Sequence, residues 1–280
     1  MKIKFSGIFI ISIVFLISAC EKVIYFDERF LYSENPRALV HAASGDAEFP
    51  GQTMEAINYG FSILDGIEVD IQISQDNTLW LSHDSEVLDS SGKSLGDFAS
   101  TEDEVIKSIS DSTHNFYYTP LDSVLKAMSQ MWPDKYISLD IKRPSKIYTL
   151  SSYRSIASEI IRMVEEYELE EHVLVESSST YLLKLLNKSE YGIQTYFFCM
   201  GDFDKGVAEA KLNELTGISF KINSFDQLTD ELVNLLHSSG LKIEAFYANE
   251  PEDIKRLYNY GVDFLQTDNL EYYSHIGTEE

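Results

Sequence analysis

The chain has 280 residues and a formal charge of −24, with 46 acidic against 22 basic side chains. So acidic a surface argues against nucleic acid and anionic membrane faces as partners, and two cysteines exclude a disulfide framework. The length suits one large domain or two small ones. Residues 1–19 read as a secretory signal: Lys2 and Lys4 precede an apolar run from Ile8 to Ile17, broken only by Ser12. That run is too short to span a bilayer.

Ile17-Ser18-Ala19-Cys20 resembles a bacterial lipobox. The resemblance implies cleavage before Cys20 and diacylation of its sulfur. The expected protein is then a lipoprotein of the bacterial cell envelope, held on the periplasmic or extracellular face by its N-terminal lipid anchor. Residues 20–37 read as the tether. Cys199 lies in the apolar run Tyr196–Met200 and reads as a small buried hydrophobe.

The domain is expected over residues 38–280. Ala38-Leu39-Val40-His41 reads as a short buried strand ending in histidine. Thr53 is placed to cap a helix running to Phe61. Ile67, Val69, Ile71 and Ile73 then alternate with polar residues, the period of a strand. Residues 85–118, rich in Ser, Asp and Gly, read as an insertion with a small helix over 101–109. Thr119-Pro120-Leu121 opens a helix with Pro at an early position. Strands are expected at 136–141, 172–176, 192–199, 217–221, 241–247 and 261–268. Helices between them are expected at 152–168, 179–187, 204–215, 226–238 and 250–260. Repeated βα units imply a parallel sheet with right-handed crossovers. The fold class is α/β, a (β/α)8 TIM barrel with an inserted segment after the second strand. An open doubly wound sheet is disfavoured because no glycine-rich phosphate loop follows the first strand.

The chemistry centres on Gly66-Ile-Glu-Val-Asp-Ile. Residues two apart on a strand share a face, so Glu68 and Asp70 point together, away from the isoleucines. They form either a solvated acidic face or a site for a divalent cation, since hard cations take oxygen ligands. His41 ends the first strand and His83 follows the second. Asp140 and Lys142 share a face at the end of the third, and Glu176 ends the fourth without a clear role. In a barrel these ends form one mouth. His114, His172, His237 and His275 read as incidental. Tyr117 and Tyr118 read equally well as lid or packing residues.

The blocks Gly66–Asp76 and His83-Asp84, with Thr119-Pro120-Leu121, Leu139-Asp140-Ile141-Lys142, Asn249–Asp253, Gly261-Val-Asp and Thr267-Asp268, resemble the glycerophosphodiester phosphodiesterase family. The resemblance implies a barrel that hydrolyses phosphodiesters with Ca2+ or Mg2+. It implies Glu68, Asp70 and Asp140 as metal ligands, and His41 and His83 as the acid/base pair. The metal and Lys142 would neutralise phosphate charge. Asp140 stands where the family usually has Glu. Ala42 replaces the arginine of His-Arg-Gly, Gly51 replaces the glutamate of Pro-Glu-Asn-Thr, and Phe246 replaces a late Trp. Lys142 or Arg143 could compensate in part for the arginine. The implied substrate is a small phosphodiester or a lysophospholipid, the latter by similarity to sphingomyelinase-D-like enzymes. The competing reading is a weakly active or inactive barrel that binds a ligand or partner.

Overall fold

The computed structural model describes residues 36–111, 116–142, 148–222 and 228–272. The chain divides into Met1–Leu31 and Tyr32–Glu280. The signal segment, Cys20 and most of the tether lie outside the described residues, as do Arg143, His114, His275 and the side chain of Tyr117.

Eight parallel strands close on themselves. They are β1 (Arg37–Val40), β2 (Gly66–Ile73), β3 (Tyr136–Asp140), β4 (Val173–Ser177), β5 (Gln194–Phe198), β6 (Gly217–Lys221), β7 (Lys242–Phe246) and β8 (Phe264–Thr267). They follow in chain order, and β1 pairs with both β2 and β8, which closes the ring. The helices between them are α1 (Met54–Ile63), α2 (Leu121–Met131), α3 (Leu150–Tyr167), α4 (Thr180–Asn187), α5 (Phe203–Leu212), α6 (Asp230–Ser238) and α7 (Pro251–Tyr260).

The helices start where the sequence offers side-chain oxygens. Thr53, Thr149, Ser179, Asp202 and Thr229 each accept a hydrogen bond from a backbone N–H of the first turn. Each satisfies a donor that the helix itself leaves free. Outward strand residues such as Ile67, Val69, Ile137 and Val175 pack with the inner helix faces in the main core. Inside the barrel the floor is apolar: Leu39, Leu174, Tyr196 and Phe264 pack together with Tyr136. This floor forces any chemistry toward the C-terminal ends of the strands.

The insertion is real and more ordered than its composition suggests. Leu79–Leu81 folds back antiparallel on β2. A hairpin follows (Glu86–Leu88 with Ser94–Asp97). The chain returns at Thr119–Pro120, antiparallel to Leu79–Leu81. Trp80, Val87, Phe98, Ile106 and Ile109 give it a small core of its own, against which Tyr118 packs. The Tyr118 hydroxyl is bound to Leu88 N at 2.9 Å, so the packing reading of this tyrosine is the better one.

Several boundaries differ from expectation. The insertion helix is Asp103–Ser108. Pro120 is the N-cap of α2 in extended backbone rather than a helical residue. β1 ends at Val40, and His41 opens a short 3-10 turn. Helix α5 ends at Leu212. Helix α6 begins at Asp230, after the Thr229 cap.

At one glycine the packing is tight enough to test. A Cβ on Gly206 of α5 would lie 1.9 Å from Cys199 Sγ and 3.0 Å from its Cβ. Cys199 is buried, and burial pushes its thiol up to about 12, as expected of a packing residue. Gly206→Ala should therefore destabilise the fold by about 1–3 kcal/mol, the usual range for overpacking. Urea denaturation measures this, and Cys199→Ala in the same chain should recover most of the loss.

Candidate active site

β2 is buried along its whole length. Glu68 and Asp70 are each only 2% exposed, which overturns the solvated acidic face. In parallel register Asp70 stands opposite Asp140, and Asp140 opposite Glu176. Three adjacent strands thus present a row of carboxylates to the barrel interior, with Glu68 one step below. Oxygens of Glu68, Asp140 and Glu176 all lie within 4.8 Å of one another.

Such crowding is electrostatically costly. Burial pushes Glu68 well above the ordinary carboxylate range, and the Asp70 charge adds to the shift, while the Ala42 N–H opposes it. Burial likewise pushes Asp140 well up, with Glu176, Asp70 and Glu68 adding to it. Burial raises Glu176, although hydrogen bonds from Ser219 and Gln266 pull the other way. A divalent cation among these oxygens would turn repulsion into attraction. The set fits a hard cation: it is all oxygen, and it is over-supplied with negative charge.

The remaining groups are tied in place. Lys142 Nζ lies 2.6 Å from Asp70 Oδ1 and 3.8 Å from Asp140. Burial alone would lower the lysine, but these carboxylates outweigh it and raise it, so it stays charged. Gln52 Nε2 donates to Asp70 Oδ2 at 2.6 Å. His41 Nδ1 pairs with Asp268 Oδ1 at 2.7 Å. Asp268 is itself held by Asn249, which donates to Oδ2 at 2.6 Å and accepts from the Asp268 N–H at 2.8 Å. The other ring nitrogen, Nε2, sits 3.9 Å from Glu68 Oε2. Burial opposes charge on His41, but Asp268 outweighs it and holds the ring above its ordinary value.

His83 stands apart from this wall. It is exposed and bonds to Asp84 at 3.0 Å. It lines a pocket of about 290 Å³ together with Gly51, Gln52, Ser82, Leu88 and Tyr118. Gln52 belongs to both the pocket and the carboxylate wall, so the pocket opens beside the wall.

The two departures from the expected motifs touch each other. A Cβ on Gly51 would meet Ala42 O at 2.8 Å and Ala42 Cβ at 3.1 Å. Ala42 has φ 49 and donates its N–H to Glu68 Oε2 at 2.9 Å. A small residue at one position therefore accommodates the other, and the backbone here contributes a donor instead of a side chain.

Of the expected residues, His41, Glu68, Asp70, Asp140 and Lys142 come together, while His83 stands apart in a pocket that shares Gln52 with them. His172 and His237 serve structure: His172 Nδ1 pairs with Lys135 O and His237 with Asp263. Reading the residues one by one did not single out Asp268, Asn249, Gln52, Ser219 or Gln266. Asn249 and Asp268 stood only within blocks that carry the family resemblance, and a polar residue at a strand end, as at Thr267-Asp268, gives no partner.

The sequence profile of the Glycerophosphoryl diester phosphodiesterase family matches residues 44–272. A glycerophosphodiester phosphodiesterase of Bacillus altitudinis is 27% identical over 228 residues, covering 79% of this chain and 89% of that protein. A phosphodiesterase from Oleispira antarctica, solved with the product sn-glycerol-3-phosphate, superposes with a TM-score of 0.71 at 17% identity, over 87% of this chain and 97% of that one. A glycerophosphodiester phosphodiesterase from Thermotoga maritima gives 0.67 at 18% identity, over 86% and 98%.

Proposed function

The chain belongs to the glycerophosphoryl diester phosphodiesterase family, and on that premise we propose that it hydrolyses glycerophosphodiesters with the help of a divalent cation, Ca2+ or Mg2+. The observation that carries this reading is the buried carboxylate wall beside His41, whose Nδ1 is held by Asp268 and whose Nε2 lies 3.9 Å from Glu68 Oε2. Glu68, Asp140 and their neighbours would hold the cation. When bound, it supplies Lewis-acid stabilisation of charge on phosphate oxygens.

The protein's own groups do the rest. Lys142 presents positive charge at the same mouth, kept there by Asp70. His41, oriented by Asp268, exchanges a proton at Nε2 with the attacking or leaving oxygen, work suited to an imidazole. His83 is the second proton-transfer group in this reading, working from the pocket side. That pocket takes the alcohol portion of the diester. The product in the Oleispira antarctica complex supports a glycerol phosphate end in the mouth.

The test is a panel of glycerophosphodiesters and lysophospholipids with Ca2+, Mg2+ or chelator, assayed on the domain that begins after Cys20. Release of glycerol phosphate that stops with chelator is expected. Turnover on lysophospholipids alone would shift the substrate class. A folded, metal-binding protein without turnover on any of them would favour the binding-protein reading and point to Ala42, because a bidentate arginine–phosphate contact is among the stronger charge-assisted bonds.

We propose in addition that Cys20 carries a lipid anchor on the cell envelope. Cys20→Ser should then release the protein from membranes and abolish its labelling with a fatty-acid analogue.

A further inference from the structure

Resting on that reading, we propose that Lys221, at the end of β6, binds the anionic phosphate of the substrate. It acts as a second lysine of the mouth, on the side away from Lys142.

The strand pattern aims Lys221 inward. Residues two apart on a strand share a face. A Cβ on Gly217 would meet Tyr196 of the barrel floor at 2.9 Å, and Ser219 Oγ donates to Glu176 in the carboxylate wall. Lys221 continues this face about 7 Å beyond Ser219, where β6 ends. Its register neighbour on β7 is Phe246, which shares a face with the interior residue Glu244. Phe246 packs edge-on against Phe198 of β5, with ring centroids 5.4 Å apart. This side of the mouth is therefore Phe198, Lys221 and Phe246, all half-buried.

Among the described residues no carboxylate lies within ion-pair distance of Lys221 Nζ. Its contact is instead the face of Tyr247, 4.0 Å from the ring centroid. A cation resting on a ring keeps its charge for an anion on its other side. Tyr247 itself has φ 65, a strained backbone state of the kind found at ligand clamps. Lys142, by contrast, lies 2.6 Å from Asp70 Oδ1. The wall gathers the carboxylates of Glu68, Asp70, Asp140 and Glu176. Ionised around a divalent cation, they outweigh that cation and Lys142 together. A phosphodiester is already an anion, and attack on phosphorus puts more charge on its oxygens, so the mouth needs positive charge from outside the wall. Ala42, beside Glu68, brings no charged side chain. Lys221 does, and its apolar flanks strengthen its field.

The test compares wild type with Lys221→Met and Lys221→Arg in the presence of Ca2+ or Mg2+. Calorimetry measures binding of sn-glycerol 3-phosphate, and kcat/KM is measured on glycerophosphodiesters. Methionine keeps most of the stem and removes the charge. Lys221→Met should lower both the affinity and kcat/KM about 10–100-fold, the worth of one hydrogen bond to a charged group. Lys221→Arg should recover most of both. Lys221→Met values within about twofold of wild type, or an equal loss in Lys221→Arg, overturn the inference. Turnover by wild type then leaves the phosphodiesterase reading standing, and if wild type binds without turnover the affinities alone decide. A wild type that neither turns over nor binds sn-glycerol 3-phosphate overturns both. Thermal unfolding of each variant checks that the barrel is folded.

Discussion

Replacing His41 with alanine should cut turnover by about 10²–10⁴-fold, the range lost when a positioned proton-transfer group is removed. The residue sits where the first strand ends and a 3-10 turn begins, with Nδ1 committed to Asp268 and Nε2 turned toward the carboxylate wall. Asp268→Asn provides the sharper test. It preserves shape and the Asn249 contacts can persist, yet an amide cannot serve as the charged acceptor that fixes which nitrogen of the ring carries the proton. A large fall in kcat with little change in KM is expected, because Asp268 acts through His41 and not on the bound substrate. The analogous substitution in a serine protease triad costs about 10⁴-fold. If Asp268→Asn leaves kcat unchanged while His41→Ala abolishes it, the aspartate is only a structural partner of Asn249.

The barrel was legible because its helices and outer strand faces obey local rules. Val173–Ser177, Gly217–Lys221 and Lys242–Phe246 each read as short strands in a regular alternation with helices. That pattern needs no knowledge of what lies opposite. The Glu68/Asp70 pair was legible for the same reason, since period-two alternation puts both on one face. The interior layer was not. Asp268 reaches His41 across 227 residues of sequence, and Gln266 reaches Glu176 across 90. Such partners are set by ring closure, not by spacing along the chain. Asp70 shows the other limit. Its position was readable, but the hold that Gln52 and Lys142 have on its oxygens was not. The insertion was readable as a break in the βα rhythm, while its own small core around Trp80 depends on contacts between residues that carry no common period.

The deepest of these interior groups carries the second large effect. Glu244 on β7 is fully buried, and Gln266 Nε2 bridges it to Glu176, donating to each at 3.0 Å. Its Oε2 and the Ser138 Oγ are buried without a hydrogen bond of normal geometry. Burial pushes Glu244 up to about 8, the Glu176 charge adds to this, and Gln266 and, at longer range, Ser138 oppose it. The native state therefore holds this proton well above the ordinary value of 4.5. Between those two pH values the unfolded chain has lost the proton and the folded one has kept it. Stability falls as pH rises through that window, by up to about 1.4 kcal/mol per pH unit from this group. The contribution is complete below the lower value and gone above the upper one. Glu244→Gln has no proton to lose. Its Oε1 still accepts from Gln266, and its amide can donate toward Ser138, so it should fold and be more stable than wild type at alkaline pH. Urea unfolding of both proteins across pH 5 to 9 in chelator, which removes any cation from the neighbouring wall, gives the comparison. The expected outcome is a stability difference that grows by several kcal/mol toward alkaline pH. Parallel curves would mean that Glu244 ionises in the folded barrel at its ordinary value, and that water reaches the layer beneath the carboxylate wall.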